Sequence, residues 1–236
     1  MGQSCTRKIW ERRVRHEGKE SHISNPELSH TALLIVDPQN DFLSEGGVMW
    51  DVVGERVKNT RVVAHLVELR NAANSADVPI FYSPHCYSDH EFALWRRRNV
   101  IDKLTFDRRK IRRHRWGADF HPDLAPDQRT LILSPHKSRS GFWEVDISIQ
   151  FRQRGIETIV LAGASANLCM ERHLRHAEDR GYVVLMVKDA TTGPANEEIQ
   201  AAVAHHGLIA KVVTTDQITS RLHEAAAVLP RLYAKH

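Results

Sequence analysis

The chain has 236 residues, 42% hydrophobic and 26% charged, which is long and apolar enough to bury the core of a globular protein. This composition excludes a disordered or fibrous chain, and a net charge of +4 is too small to require a nucleic-acid partner. The three cysteines, Cys5, Cys86 and Cys169, form neither a disulfide framework nor a CxxC metal pair, which predicts a reducing, cytoplasmic location.

Residues 1–29 are predicted to form a polar N-terminal arm that ends at the turn Ser24-Asn25-Pro26. The first letters, MGQSCT, match the myristoylation pattern, and Cys5 is a candidate for palmitate. The pattern is short and common by chance, so we expect a plain arm, and no membrane contact unless Gly2 and Cys5 are lipidated. The sequence also has no apolar run long enough for a membrane span and no hydrophobic signal core, so we predict neither spanning nor secretion.

Residues 30–236 are predicted to form a single domain in which short apolar runs alternate with helical patterns. The runs are apolar almost throughout, as expected for parallel strands that are covered on both faces. They lie at residues 32–36, 78–82, 130–133, 158–162, 182–187 and 211–213, and helical patterns lie at 52–73, 168–180 and 197–206. This alternation predicts an α/β fold, a doubly wound three-layer sandwich with a parallel sheet.

An insertion at about residues 85–129 separates the second strand from the third. It holds three basic runs, at residues 96–98, 108–110 and 112–115, with Trp95 and Trp116 beside them. Long excursions at the carboxyl side of a strand often carry lids and specificity elements. The basic runs are interpreted as a solvated face or a subunit contact. A site for an anionic substrate group or for a phosphate backbone is the alternative.

Three predicted strand ends carry chemically useful side chains: Asp37 after the first strand, Lys137 after the third and Cys169 after the fourth. In an open parallel sheet, ligands bind beyond the carboxyl ends of the strands. Cys169 opens a helix, whose dipole favours a thiolate, and a nearby Lys137 would lower the pKa of the thiol further. Asp37 is suited to take the thiol proton and deliver it to a leaving amine. Together these residues favour covalent catalysis.

Three segments carry a resemblance to a known family. They are residues 32–42 (ALLIVDPQNDF), 136–142 (HKSRSGF) and 161–171 (LAGASANLCME). In order and spacing they resemble the signature stretches of the isochorismatase-like cysteine hydrolases, over about residues 30–220. The resemblance implies a six-stranded parallel sheet of order 3-2-1-4-5-6 and a homo-oligomer, a dimer or tetramer. We predict no cofactor.

The resemblance also implies roles for individual residues. Asp37 corresponds to the general acid/base of the family, Lys137 to its lysine and Cys169 to its nucleophile. A cis peptide bond is implied at Ala164–Ser165, with the N–H groups of Ser165 and Cys169 directed at the substrate oxyanion. Because Cys169 is present, the chain resembles the amidohydrolase branch. Its members hydrolyse a C–N bond of a small carboxamide, ureido or carbamoyl compound through a cysteine thioester and release ammonia or an amine.

Several side chains near these segments are candidates for the substrate pocket. The aromatic ones either form an apolar wall of the pocket or pack helices, while the histidine is predicted to line the pocket. The candidates are Phe42, His85, Trp116, Phe142 and Trp143.

Two other functions are kept as alternatives. One is a metal-dependent amidase of the nicotinamidase type, with His85, Asp89 and His90 as candidate ligands. No strict ligand spacing appears, so we predict no metal. The other is a nucleic-acid-binding module that uses the basic segment 96–115, although no recognised reader motif accompanies it. His173, four residues after Cys169, is predicted to be a core or interface histidine and not the partner of the thiol.

Overall fold

Six parallel strands form one sheet in the order β3-β2-β1-β4-β5-β6 in the computed structural model, which describes residues 28–96, 99–193 and 196–227. The central strand β1 pairs with β2 on one side and with β4 on the other. This confirms the expected sheet and its order. The strands are β1 (Thr31–Val36), β2 (Ile80–Ser83), β3 (Thr130–Ile132), β4 (Thr158–Ala164), β5 (Val183–Thr192) and β6 (Lys211–Val213).

The helices within the described residues connect these strands. A π-helical turn, Ala166–Met170, precedes the helix Glu171–Glu178. The helices are α1 (Asn40–Leu43), α2 (Trp50–Asn59), α3 (Val62–Ser75), α4 (Asp89–Leu94), α5 (Val100–Asp107), α6 (Val145–Gln153), α7 (Glu171–Glu178), α8 (Asn196–His206) and α9 (Thr215–Ala226).

Side chains of the sheet alternate between two buried layers. Leu33 and Ile35 of β1 share a core with α2, α3 and α9, whereas Leu34 shares a second core with α6 and α7. Every residue of β1 is buried, as expected for a parallel strand that is covered on both faces. Helices therefore cover both faces, which confirms the three-layer sandwich. The strand order reverses between β1 and β4, and ligands bind at such a switch point.

The structure differs from two of the predicted elements. The single helix predicted at residues 52–73 is two helices, because Arg61 has a left-handed backbone with a φ of 51°. Strand β5 continues past the predicted end at residue 187, through two charged residues. The carboxylate of the second, Asp189, accepts the Thr215 N–H at 2.8 Å and so holds the start of α9.

Only the end of the predicted arm lies within the described residues. Residues 1–27, with Gly2 and Cys5, lie outside the described residues, and Leu28–His30 forms a short 3-10 helix. Among the helices that the structure does describe, none combines the length and apolar character required to cross a bilayer.

Gly163 fixes the contact between the two central strands. Its φ is 125°, and a Cβ atom there would lie 2.1 Å from the Val36 carbonyl oxygen. We expect Gly163→Ala to lower the free energy of unfolding by at least about 3 kcal/mol, because it adds both backbone strain and a backbone clash. Urea unfolding measures this loss. Gly181→Ala is the matched control: its φ is 85° but nothing lies within 4 Å of the added atom. Gly181→Ala should lower the free energy of unfolding by about 1–2 kcal/mol. An equal loss of stability in the two variants would contradict the steric explanation.

Candidate active site

Asp37 is the first residue after β1 and lies at the switch point of the sheet. Its side chain is fully buried, and its backbone has a φ of 52°, in the left-handed region. The Oδ1 atom lies 2.9 Å from Nε2 of His136. Oδ2 accepts no hydrogen bond from the described residues. One carboxylate oxygen is therefore held in place, and the other is free to accept a proton.

Cys169 lies beside the Asp37 carboxylate. It lies in the π-helical turn after β4 and is 6% exposed. The thiol sulfur, a carboxylate oxygen of Asp37 and a ring nitrogen of His85 all lie within 4.8 Å of one another. Burial raises the pKa of the Cys169 thiol well above its usual value, and the Asp37 carboxylate raises it further. The resting sulfur is therefore a protonated thiol beside a carboxylate that can take its proton.

The segment before Cys169 matches the sequence prediction in its backbone. The peptide bond between Ala164 and Ser165 is cis. The Ser165 carbonyl accepts the N–H groups of Leu168 and Met170, both at 3.1 Å, and these hydrogen bonds shape the turn. Ser165 and Cys169 line the same cavity. The direction of their N–H groups toward a substrate oxygen stays a prediction.

His136, and not the predicted Lys137, contacts Asp37. The Lys137 ammonium donates to the Cys86 carbonyl at 2.7 Å and pairs with the Glu91 carboxylate at 3.1 Å. The His136 N–H donates to the Pro84 carbonyl, so this segment runs extended beside the end of β2. Successive side chains of an extended segment point to opposite sides. The contact to Asp37 therefore comes from His136 and not from Lys137, which lines the same cavity as Cys169.

The hydrogen bonds of His136 show how many protons the His136–Asp37 pair carries. Its Nδ1 faces the Ser138 carbonyl, which can only accept, so Nδ1 carries a hydrogen. Its Nε2 faces the Asp37 carboxyl, and that hydrogen bond needs a second proton. The pair is therefore an imidazolium with a carboxylate, or a neutral imidazole with a carboxylic acid.

A cavity of about 110 Å³ opens beside the thiol and has room for a small ligand. Phe42 and His85, both predicted pocket residues, line it. The other three predicted residues lie elsewhere. Phe142 is buried in the core with α6 and α7, whereas Trp116 and Trp143 are 50% and 66% exposed. Other apolar side chains complete the wall: Met49, Val52, Val53, Ile101, Leu104 and Leu168.

The three candidate metal ligands do not form a set. The Asp89 carboxylate is exposed and pairs with Arg112, and His90 is exposed, whereas His85 is buried. His85 stacks on His136 with 4.5 Å between ring centroids, and burial lowers its pKa well below the usual value. His85 is therefore a neutral ring in the cavity wall. Within the described ranges, the His/Cys/Asp/Glu group close enough for one ion is Asp37, His85 and Cys169, which is the candidate catalytic centre itself.

Two buried charged residues near the cavity, Asp41 and Lys110, were not selected from the sequence. The Asp41 carboxylate accepts the N–H of Val48 at 3.1 Å and that of Ile111 at 2.5 Å. Lys110, inside the insertion, lines the cavity and is 7% exposed. The sequence shows the basic run 108–110 but not which of its cations turns inward. The Arg108 side chain instead pairs with Asp51 on the surface at 2.7 Å.

His173 has the structural role that the sequence predicted. Its Nε2 accepts the Gly141 N–H at 2.8 Å, so Nδ1 carries the hydrogen and donates to the Cys169 carbonyl at 2.7 Å. The ring thus contacts the backbone of Cys169 and not its thiol. Burial lowers the pKa of His173 to about 3.

The lowered pKa of His173 predicts a loss of stability in acid. The unfolded chain takes up this proton near pH 6.5, and the folded chain only near pH 3. The stabilisation is therefore complete above about pH 6.5 and falls progressively as the pH drops toward 3. Urea midpoints over this range measure the fall, and His173→Gln is expected to make it shallower. An unchanged slope in that variant would contradict this role.

Comparisons with known proteins are consistent with this architecture. A family model described as the isochorismatase domain matches residues 31–217. The ureidoacrylate amidohydrolase RutB of Agrobacterium fabrum is 26% identical over 215 residues, which cover 85% of this chain and 93% of that protein. A cysteine hydrolase from Pseudomonas syringae pv. phaseolicola superposes with a TM-score of 0.71 at 22% identity, over 85% of this chain and 96% of its own. N-carbamoylsarcosine amidase from Thermoplasma acidophilum gives 0.60 at 20% identity, over 79% and 96%.

Proposed function

The chain belongs to the isochorismatase domain family, and from this premise we propose that it is a cysteine-dependent amidohydrolase. Its reaction is the hydrolysis of a C–N bond in a small carboxamide, ureido or carbamoyl compound. The relatives named as an amidohydrolase and an amidase support this reaction class. The observation that carries the proposal is the placement of the Asp37 carboxylate and the Cys169 thiol together, at the ends of adjacent strands.

The first half of the reaction transfers an acyl group to the enzyme. Asp37 takes the thiol proton on Oδ2 as the sulfur forms a bond to the substrate carbonyl carbon and the carbonyl electrons move to oxygen. When the tetrahedral intermediate collapses, the C–N bond breaks. The nitrogen leaves as ammonia or an amine with the proton that Asp37 held. His136 keeps its hydrogen bond to Oδ1 throughout and so holds the carboxyl group in place.

The second half returns the enzyme to its starting state. Asp37 takes a proton from water as the water oxygen bonds to the thioester carbon, and the S–C bond then breaks. The acid product leaves, and the thiolate recovers its proton from Asp37. No proton or electron pair is left over, so the cycle needs no further reactant.

The size and lining of the cavity support a small substrate. About 110 Å³ suits a compact molecule, and the apolar wall around Phe42 suits a substrate with an apolar or flat portion beside its amide. The Cys169 thiol and the polar Ser165 lie on the same cavity, where the reacting carbonyl would sit.

An ammonia-release screen tests the proposed reaction. Primary amides, ureas and carbamoyl acids are offered to the wild-type protein and to Cys169→Ser as the control. We expect release from at least one class by the wild type and only background release by the variant. Equal release by both proteins would overturn the covalent route, and no release from any class would overturn the reaction.

A further inference from the structure

We propose that Lys110, carried by the insertion, supplies the positive charge that stabilises the Cys169 thiolate. The inference rests on the proposed function, because the thiolate is the attacking species of that reaction. Lys110 lines the same cavity as Cys169 and is almost completely buried. Its Nζ lies 5.0 Å from the centre of the Phe42 ring, on the wall of that cavity. The resemblance of the sequence to its family pointed instead to the end of β3.

The other cations of the cavity are already paired. Lys137 is held by the Glu91 carboxylate and the Cys86 carbonyl. Arg139 pairs with Asp102 at 2.5 Å. Lys110 has no carboxylate within ion-pair distance among the residues that the structure describes. Among the cavity cations that the structure describes, Lys110 is therefore the one whose charge is available to a new anion.

Lys110 would stabilise the thiolate by offsetting its negative charge in the buried site. With the Asp37–His136 pair as carboxylate and imidazolium, the resting negative charge lies on an oxygen that His136 holds by a hydrogen bond. When the thiol proton passes to Asp37, this negative charge moves to the sulfur. A buried anion without a nearby cation is costly, and Lys110 is a cation on the wall of the same cavity.

The charges around the thiol act in the same direction. Burial and Asp37 raise the pKa of Cys169, whereas Lys110 and Arg139 lower it. In turn, burial lowers the pKa of Lys110, whereas Cys169, Asp37 and Asp41 raise it. The titratable and charged groups that face this site from the described residues are Asp37, Asp41, His85, Tyr87, Asp102, Lys110, His136, Lys137 and Arg139.

The backbone of the insertion holds Lys110 in this position. Both neighbours, Arg109 and Ile111, have left-handed backbones with φ of 48° and 51°, which non-glycine residues seldom adopt. The Ile111 N–H donates to the Asp41 carboxylate, and its carbonyl accepts the Tyr87 N–H at 3.0 Å. Two contacts on opposite sides thus fix the turn that places Lys110 in the cavity.

The pH dependence of Cys169 alkylation by iodoacetamide tests this role. Modification is followed by mass spectrometry of the peptide that contains Cys169, so that Cys86 does not contribute. In Lys110→Met we expect the apparent pKa of alkylation to rise, with alkylation at pH 7 slower by about tenfold or more, because only the thiolate reacts. Lys137→Met is the matched control and should keep the wild-type profile, while Lys110→Arg should keep most of it.

Two outcomes would overturn the inference. One is a wild-type alkylation profile in Lys110→Met, and the other is an equal rise in Lys137→Met. Lys110→Gln, which keeps a polar chain of similar shape, repeats the test independently of how well the methionine variant folds. Alkylation needs no substrate, so this result is separate from the ammonia screen. A failed screen rejects the reaction, whereas an unchanged alkylation profile rejects only Lys110.

Discussion

Asp37→Asn is expected to abolish hydrolysis and, at the same time, to make Cys169 react faster with iodoacetamide at neutral pH. An asparagine cannot take the thiol proton or return it to the leaving nitrogen, so turnover should fall by about 10²–10⁴-fold. The carboxylate of Asp37 raises the pKa of the thiol, so its removal lowers that pKa and increases the thiolate fraction. Steady-state ammonia release and the rate of alkylation, measured on one preparation, give the two opposite changes.

A carboxylate outside the site provides the control for Asp37. Asp189 lies on β5, where its carboxylate holds the start of α9. Asp189→Asn removes one negative charge but should leave both the alkylation rate and the turnover near the wild-type values. A slower alkylation in Asp37→Asn, or turnover close to wild type, would show that Asp37 is not the base for this thiol.

Cys169→Ala is expected to reduce ammonia release by about 10⁴-fold or more, to the uncatalysed background. The variant removes the only atom that bonds to the substrate in the proposed route. The expected change in folding is small, because alanine replaces a small buried side chain. Ammonia release and thermal unfolding of the same sample separate lost chemistry from lost structure.

Cys86→Ala is the matched control for this loss. Cys86 is also a buried free cysteine, but its described role is a backbone carbonyl that accepts the Lys137 ammonium. Its thiol can be removed without loss of that hydrogen bond, so turnover should stay within a few-fold of wild type. Equal losses in Cys86→Ala and Cys169→Ala would assign the effect to packing and not to the nucleophile.

Much of the fold was predictable because it depends on local patterns. The six apolar runs gave strands in the right places, and the alternation with helical patterns gave the layers. The break at Arg61 was not predictable, since the apolar stripe of Val57 and Leu66 continues across it into the same core. Local periodicity does not show which distant segments pair in a sheet. The order of the strands therefore came from the resemblance alone.

Site residues that lie next to the end of a strand were predictable from the sequence. Those whose position depends on tertiary contacts were not. Asp37 directly follows β1, and Cys169 lies in the turn after the neighbouring strand β4, so the sheet brings them together. The choice between His136 and Lys137 depends on the side to which an extended segment turns each residue. Lys110 depends on the docking of a long insertion, through contacts of its backbone with Asp41 and Tyr87. Neither choice leaves a periodic signal.

The predicted pocket residues show the same limit. Phe42 follows Asp37 closely and does line the cavity. Phe142 and Trp143 are adjacent in sequence, yet one is buried in the core and the other is exposed beside His176. Their closeness to residue 137 along the chain does not indicate whether their side chains point into the cavity.

The most direct measurement of the proposed chemistry is mass spectrometry of the wild-type protein, quenched in acid during turnover of a substrate found in the screen. We expect the acyl part of that substrate on the peptide that contains Cys169, and its loss when the substrate is exhausted. Turnover with Cys169 unmodified throughout, together with activity in Cys169→Ala, would contradict the covalent route.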